Sequence, residues 1–319
     1  MRWLAAGLAL WLVGCAEPVH LPKLPVRAGP AIAVQTVPVA LNDQDPGQTS
    51  LGTFTFAGGL SLTSDQTSRL HGLSDLEVTP DGHLTAVSDE GDLLQARIVL
   101  NPSGRLTGLT GARLTTLTDL SGQPLQGKVA SDSEGLAILA NGDRLISFER
   151  QDRVWLYPAR GGNPRAVPAP QASFPENGGL EALGPAPTIA ADAYLAGGED
   201  SGEVWICRVS TTCTPTSPVA KPPEFGLVAI RSLADGSTAY LLRAYDPVRG
   251  NRVTLEIRKG SETLARLDLA RPLTVDNFEG VSAVRLRDGR TRFFLISDDN
   301  FNTKSQRTLL LAFDWMPGA

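Results

Sequence analysis

The chain has 319 residues, with 29 lysines and arginines against 34 aspartates and glutamates, giving a formal net charge of −5. This mild acidic excess, with basic residues scattered along the chain, excludes nucleic acid as the main partner, because phosphate backbones are bound by concentrated positive charge. At 42% hydrophobic residues the chain is long enough to bury a substantial single core.

The N-terminus has the pattern of an export signal. An apolar run from Trp3 to Val13 is too short to span a bilayer, and it leads into Leu12-Val13-Gly14-Cys15, which resembles the lipobox of bacterial lipoproteins. Residues 1–14 are therefore predicted to be a signal peptide, and Cys15 the lipid-bearing first residue of the mature protein. The alternative is an ordinary signal peptide with an incidental cysteine. The lipoprotein interpretation places the protein at the bacterial cell envelope, on its periplasmic or outer-membrane face.

Residues 15–47 are rich in proline and lack periodicity, which predicts a tether, with the folded domain spanning residues 48–319. Cys207 and Cys213 remain in that domain. In an exported, oxidising compartment they form either a short-loop disulfide or two free thiols. No cysteine and histidine spacing typical of a zinc site occurs in the sequence.

One strand-turn-strand pattern recurs along the domain, each copy followed by a further strand. The copies begin near His71, Glu134, Glu181, Phe225 and Glu279, at spacings of 44 to 63 residues. In the second copy Asn141-Gly142 joins two alternating strands, as in a tight hairpin.

These periods predict an all-β fold, a β-propeller of five or six four-stranded blades. The segment 100–131 could hold a degenerate sixth blade. The early strand Leu51–Gly58 has no blade of its own, and we expect it to close the ring by pairing with the last blade, which removes an exposed edge. A β-sandwich is the rival architecture.

In a propeller, the innermost strand starts and the second strand ends at the same face of the disc, so two positions per blade converge at one mouth of the central channel. The first set consists of His71, Glu134, Glu181, Phe225 and Glu279. The second set consists of Asp89 with Glu90, Glu149, Glu199 with Asp200, Arg243, and Asp298 with Asp299 and Asn300. Turn propensity favours Asp and Asn at strand ends but does not account for the repeated Glu. The pattern therefore predicts an acidic ring.

Like charges held close together raise one another's pKa or recruit a cation. Oxygen ligands without sulfur or paired histidine suit Ca²⁺, with Mg²⁺ or Mn²⁺ as alternatives. The ligands we predict are Asp89, Glu149, Glu199, Asp298, Asp299 and Asn300. The competing interpretation is a solvated acidic rim, or salt bridges to Arg150, Arg153 and Arg243. The same arginines could instead hold an anionic substrate, because Arg matches phosphate in bidentate fashion.

Several segments together resemble the phytase-like family described as having esterase-like activity of phytase. They are GLSDLEVTPDGHLTAVSDEG, DSEGLAILANGDRLISFE, NGGLEAL, and FEGVSAV followed by SDDNFN. The likeness extends from about Phe54 to Phe313. It implies an exported bacterial propeller with phosphoesterase or esterase activity on a small-molecule substrate.

On this resemblance, Ca²⁺ would neutralise phosphate charge and activate water. Glu134, Glu181 and Glu279 would be the catalytic residues, and Arg150 or Arg243 would orient the substrate. Paired lysines and arginines for a highly anionic inositol phosphate are scarce. A cation-dependent lactonase or carboxylesterase fits the acidic ring equally well, and a non-enzymatic propeller that binds a partner or glycan is the third interpretation. The sequence does not specify an oligomeric state.

Overall fold

Five antiparallel sheets follow one another along the chain in the computed structural model, which describes residues 31–175 and 177–318. Three strands come first, namely β1 (Gln35–Pro38), β2 (Ser50–Leu51) and β3 (Phe54–Thr63). Blade 1 consists of β4 (Leu73–Val78), β5 (His83–Ser88), β6 (Asp92–Leu100) and β7 (Leu106–Thr116). A single helical turn, α1 (Lys128–Ser131), leads to blade 2, which consists of β8 (Ser133–Ile138), β9 (Arg144–Phe148), β10 (Arg153–Tyr157) and β11 (Arg165–Val167).

The remaining blades repeat the same up-and-down order. Blade 3 consists of β12 (Ala182–Pro185), β13 (Ala193–Gly197), β14 (Val204–Arg208) and β15 (Cys213–Pro215). Blade 4 consists of β16 (Gly226–Ser232), β17 (Thr238–Asp246), β18 (Gly250–Lys259) and β19 (Glu262–Leu269). Blade 5 consists of β20 (Asn277–Arg285), β21 (Thr291–Asp298) and β22 (Leu309–Trp315), completed by β3.

The structure confirms a β-propeller and settles the blade number at five. The segment 100–131 holds the outer strand β7 and the turn α1, and no further sheet among the described residues. The N-terminal strand β3 pairs with β22, as predicted from Leu51–Gly58, so that the first and last parts of the domain are joined by hydrogen bonds. Strand β3 thereby covers the outer edge of β22, which would otherwise be an exposed sheet edge.

The core is distributed between neighbouring blades. The innermost strands β4, β8, β12, β16 and β20 contact one another in turn around the axis, and β20 contacts β4 to complete the circle. Five apolar clusters lie between successive blades, for example Val87 and Leu93 of blade 1 against Leu136 and Phe148 of blade 2. Each sheet therefore buries both faces, which explains why strands such as β21 and β22 are buried along their whole length.

Part of the predicted tether packs on the propeller. Strand β1 pairs with β3 on the outer side of blade 5. Leu41 is buried in the cluster between blades 4 and 5, and Asn42 forms a β-bridge with Leu273. The packed part of the chain thus starts before the expected boundary at residue 48, because a few apolar positions between the prolines find partners on the last blade. The predicted signal peptide, Cys15 and residues 15–30 lie outside the described residues.

A buried ion network fills the channel. Arg231 of β16 is 2% exposed and reaches across the axis to β4, where Nη2 donates to both carboxylate oxygens of Asp75 at 2.8 Å. Its Nε donates to Glu77 Oε2 at 3.0 Å, and its remaining hydrogens reach backbone carbonyls, including that of Leu183 in blade 3. Asp75 Oδ2 also accepts the Leu136 amide of blade 2 at 2.8 Å. The guanidinium therefore links blades 1, 3 and 4 directly, and Asp75 extends the network to blade 2.

Gly184 of β12 lies where this network leaves least room. A Cβ added there would overlap the carbonyl oxygen of Ile230 in the next blade. We expect Gly184→Ala to lower the free energy of unfolding by about 1–3 kcal/mol through overpacking, measured by urea denaturation. Gly108 of β7 is the matched control, since a Cβ there meets no atom closer than 3.8 Å. Equal effects of the two substitutions would contradict the close approach of blades 3 and 4.

Two further features bear on compartment and membrane. Cys207 and Cys213 form a disulfide between β14 and β15, so the first of the two alternatives left open by the sequence holds. Among the described residues, no helix is both long and apolar enough to cross a bilayer.

Candidate functional site

The two residue sets predicted to converge lie together at one end of the channel, which we call the mouth. The strand register is the cause, because the first residue of each inner strand pairs with a residue at or near the end of the second strand. Examples are Ser133 with Phe148 and Asn277 with Asp298. The mouth is defined by His71, Asp89, Asp132, Glu134, Glu149, Glu181, Glu199, Arg243, Glu279, Asp298 and Asp299.

Three carboxylates of blade 2 form the tightest group in the mouth. Asp132, Glu134 and Glu149 each offer one oxygen atom, and these oxygens lie within 4.8 Å of one another. Glu149 is held by the amides of Gly178 and Gly179, which donate to its Oε1 at 2.6 and 3.1 Å. Burial, followed by the charges of Glu279 and Asp132, raises the pKa of Glu134 well above its ordinary value. This group, which we call the Asp132 group, can therefore hold a proton or a cation.

Two basic side chains flank the Asp132 group. Arg150 Nε donates to Asp132 Oδ2 at 2.5 Å, and Lys128 forms an ion pair with the other oxygen of Asp132. The Lys128 ammonium also donates to Asp89 Oδ2 at 2.6 Å. Burial alone would lower the pKa of Lys128, but the two carboxylates outweigh it and raise that pKa.

A second group joins blades 3, 4 and 5 around Arg243. Its Nη1 donates to Glu279 Oε1 and Asn277 Oδ1, both at 2.5 Å, and its Nη2 donates to Glu199 Oε1 at 2.8 Å. Burial raises the pKa of Glu181 and of Glu279 well above the ordinary value, and neighbouring carboxylates add to the effect. Arg243 opposes this increase at both residues without cancelling it.

Asp298 and Asp89 form the third sector of the mouth. Burial, and then the charge of Asp89, raises the pKa of Asp298 from 3.8 to about 7. Burial also raises the pKa of Asp89, against the lowering by Lys128. The buried Oδ1 atoms of Asp89 and Asp132 accept no hydrogen bond from the described residues, although Lys128 is ion-paired with Asp132 Oδ1. Carboxylate oxygens of this kind are the ligands that hard cations such as Ca²⁺ take.

Asp299 and Asn300 have other partners. Asp299 Oδ2 lies 2.6 Å from His71 Nδ1 and accepts a hydrogen bond from Thr308 Oγ1 at 2.9 Å. Asn300 is exposed in a left-handed turn, with φ at 49°, and its backbone amide donates to Asp298 Oδ1 at 2.7 Å. Asp299 is therefore the partner of a histidine, and Asn300 is a turn residue.

The predicted site residues lie at the mouth or, for Arg150 and Asn300, directly beside it, in differing surroundings. Of the predicted cation ligands, only Glu149 belongs to the Asp132 group. Arg150 and Arg243, predicted to bind substrate, are ion-paired with mouth carboxylates, as the salt-bridge alternative expected. Arg153 instead stacks on Phe148, with its guanidinium carbon 4.0 Å from the ring centre.

Sequence reasoning did not select Asp132 as a ligand, nor the buried trio of Asp75, Glu77 and Arg231. The signal for Asp132 was its position two residues before Glu134, which brings both onto one side of a strand start. The signal for Arg231 was a charged residue within the apolar run Gly226–Ser232. Its partners are more than 150 positions away in sequence, so only the closed ring identifies them.

Two cavities lie at the mouth. One of 210 Å³ is lined by Glu199, Arg243, Phe225 and Tyr245, and one of 280 Å³ lies beside Glu90 and Lys128. A larger cavity of 370 Å³ opens at the opposite face, next to Ser232, Asp235 and Arg285. Asp235 is the one carboxylate among the described residues that line this cavity, whereas several carboxylates lie beside the two smaller cavities of the mouth.

The raised carboxyl pKa values predict how stability depends on pH when no cation is bound. A carboxyl group whose pKa rises on folding takes up protons as the chain folds, so the free energy of unfolding falls as the pH rises. For Asp298 this loss extends from pH 3.8 to about 7. Asp75 and Glu77 act in the same direction, because burial raises their pKa to about 6 and about 7.

In chelator, we therefore expect the protein to be more stable at pH 5 than at pH 7.5, by on the order of 1–3 kcal/mol, measured by urea denaturation at both pH values. Asp298→Asn should reduce the difference, whereas Asp43→Asn, at an exposed turn before β2, should not. An increase in the urea midpoint from pH 5 to pH 7.5 would contradict the assigned burial of these carboxyl groups.

Comparisons with known proteins bear on the family and the fold. The model of a family described as "Phytase-like: Esterase-like activity of phytase" matches residues 68–301. No curated protein matches the chain. A virginiamycin B lyase from Staphylococcus aureus is similar at 11% identity and a TM-score of 0.45, covering 89% of this chain and 100% of the other. A putative gluconolactonase is similar at 12% identity and a TM-score of 0.46, covering 93% of this chain and 95% of the other. At these values neither likeness supports a statement about activity.

Proposed function

The chain belongs to the phytase-like family described by esterase-like activity of phytase, and on that premise we propose that the mouth is the active site of a divalent-cation-dependent hydrolase. Its substrate is a small carboxyl ester or phosphoester. The observation that carries the proposal is the Asp132 group, in which three carboxylate oxygens lie within 4.8 Å of one another. Carboxylates crowded in this way at a partly desolvated site either share protons or bind a cation.

The donor set fits Ca²⁺. All three members of the Asp132 group present oxygen, the ligand that Ca²⁺ prefers, and Asp89 Oδ1, which accepts no hydrogen bond from the described residues, provides further buried oxygen nearby. When bound, the cation would neutralise phosphate charge or polarise a carbonyl, and would lower the pKa of a bound water. Asp132, Glu134 and Glu149 are the residues that would hold it.

Other residues of the mouth would manage protons and orientation. Burial raises the pKa of Glu181 and of Glu279 well above the ordinary value, which favours each as a hydrogen-bond donor to a substrate oxygen. Arg243 keeps Glu279 and Glu199 in position through hydrogen bonds at 2.5 and 2.8 Å. Arg150 adds positive charge beside Asp132, where a phosphoryl or carbonyl oxygen would lie.

The pairing of these basic groups favours weakly charged substrates. Lys128, Arg150 and Arg243 each have a carboxylate partner. A polyanion such as an inositol polyphosphate would have to compete with those carboxylates. We therefore propose a neutral ester or phosphomonoester in preference to phytate. The alternative, a propeller that binds a partner and uses the cation only to fix loops, is favoured by the same pairing, because it requires no free arginine.

The proposed location is the bacterial cell envelope, with lipidated Cys15 as the anchor and residues 16–30 as the connection to the propeller. Nucleic acid is not a proposed partner, given the net charge of −5 and the acidic mouth. Mass spectrometry of the membrane-extracted protein tests this anchor. We expect an acylated peptide that begins at Cys15.

The activity is tested with protein produced from Ala16 onward, so that the strand β1 is retained and the lipid is absent. The protein is stripped with chelator, and its melting temperature is followed against added Ca²⁺ while p-nitrophenyl acetate and p-nitrophenyl phosphate hydrolysis are assayed. We expect stabilisation by Ca²⁺ together with turnover of at least one ester. Stabilisation without turnover would support the binding module, and the absence of both would contradict the proposed function.

A further inference from the structure

His71 and Asp299 form a histidine-carboxylate pair at the edge of the mouth. His71 lies just before β4, and its Nδ1 is 2.6 Å from Asp299 Oδ2 at the end of β21. The imidazole is 23% exposed, whereas the Asp299 side chain is 2% exposed. The pair therefore has one buried end, the carboxylate, and one partly exposed end, the imidazole.

Asp299 is held in place from several directions. Thr308 Oγ1 donates to the same oxygen that faces His71, at 2.9 Å. The amides of Gly72 and Phe301 donate to its other oxygen at 3.3 and 3.2 Å. With its acceptors occupied in this way, Asp299 can fix the tautomer of His71 with the proton on Nδ1, which leaves the Nε2 lone pair available.

The surrounding backbone is constrained as well. Asn300 and Phe301 both have left-handed φ values, 49° and 53°, which are uncommon for residues other than glycine. This turn places the Phe301 ring 5.7 Å from the imidazole. A Cβ at Gly72 would collide with Asp89, so glycine is required between His71 and β4. Local strain of this kind persists where the surrounding structure holds a side chain in one orientation.

We propose that His71 is a further catalytic residue of the mouth, acting as the proton carrier with Asp299 as its orienting partner. This inference rests on the proposed hydrolase function. Nε2 takes a proton from water as the water oxygen bonds to the carbonyl carbon or phosphorus. The imidazolium that forms is stabilised by Asp299. Nε2 then returns that proton to the leaving oxygen as its bond to carbon or phosphorus breaks, so the histidine ends as it began.

The charged groups facing His71 set its pH range. The hydrogen bond from Asp299 raises the pKa of His71, burial opposes it, and the charges of Asp299, Asp298 and Glu90 raise it further. Because the imidazole must be neutral to take a proton from water, activity should increase with pH as His71 loses its second proton. Removing the negative charge of Asp299 should shift this increase in activity, the acid limb of the pH profile, to lower pH.

The test compares His71→Gln with His83→Gln in the chain from Ala16 onward. His83 is an exposed histidine whose Nε2 also faces a carboxylate, Asp81, at 3.2 Å, but it lies at the start of β5, away from the mouth. We expect kcat/KM for the ester that the wild type hydrolyses to fall at least about 100-fold in His71→Gln and to stay within twofold in His83→Gln. The Ca²⁺-induced change in melting temperature should persist in both variants.

The pH dependence of kcat/KM in Asp299→Asn is the second measurement. If His71 had only a structural role, this substitution would not shift that pH dependence. The acid limb of kcat/KM should move to lower pH in Asp299→Asn and disappear in His71→Gln. Hydrolysis by His71→Gln at the wild-type rate, with an unchanged profile, would overturn the role of His71 and leave the hydrolase proposal intact. A wild type that hydrolyses no ester would overturn both.

Discussion

Arg231→Met is expected to lower the free energy of unfolding by about 3–5 kcal/mol, the largest change we predict for stability. The substitution keeps most of the side-chain volume but leaves Asp75 and Glu77 buried in the channel without their counter-charge. It also removes hydrogen bonds to the carbonyl oxygens of Leu183, Ile230 and Leu76. Urea denaturation at pH 7.5, followed by tryptophan fluorescence, measures the effect.

The matched control is Arg249→Met. Arg249 pairs with Asp246 at 2.6 Å, but its side chain is 57% exposed, and exposed ion pairs contribute under about 1 kcal/mol. Neutralising the partners by Asp75→Asn and Glu77→Gln in the Arg231→Met background should recover part of the loss, because the uncompensated charges are then gone. A loss below 1 kcal/mol for Arg231→Met alone would contradict the role of this residue in joining the blades.

Glu134→Gln is expected to have opposite effects on the cation-free and the cation-loaded protein. Because burial raises the pKa of Glu134, its charged form is unfavourable in the folded state, and an amide of the same shape should raise the melting temperature in chelator at pH 7.5. The same change removes a ligand from the Asp132 group. We therefore expect the stabilisation by Ca²⁺ to be lost and ester hydrolysis to fall by at least about 100-fold.

Glu262→Gln controls for the loss of one negative charge. Glu262 is exposed at the start of β19, at the outer edge of blade 4, so its replacement should leave both the chelator melting temperature and the Ca²⁺ response unchanged. If Glu134→Gln were destabilising in chelator, the carboxyl group would be making favourable contacts that the structure does not show. If it kept the Ca²⁺ response, the cation would be held elsewhere in the mouth.

The propeller and the composition of its mouth could be predicted because both are encoded in local repetition. Strands that alternate or run apolar between Asp-Gly and Asn-Gly turns recur with a period that suits one blade, and a strand start and a strand end in each copy must share a face of the disc. The closing strand β3 could likewise be predicted, since an early strand without a blade needs a partner. The resemblance to the phytase-like family rested on these same segments.

The pairing of charges could not be predicted from the sequence. Ring closure brings residues together over long sequence separations. It decides which carboxylates meet as a group, which acidic residues hold Arg243, and that Arg231 crosses the channel to Asp75. Asp299 illustrates the limit, because a sequence of Asp, Asp and Asn at a strand end is compatible with ligands, a turn or a histidine partner.

The sequence by itself determined the all-β propeller, its closure and an acidic mouth, since these follow from local periodicity and strand polarity. Only the tertiary structure decided the five-blade ring, the Asp132 group and the His71 pair, because side-chain distances across blades depend on how the sheets pack around the axis.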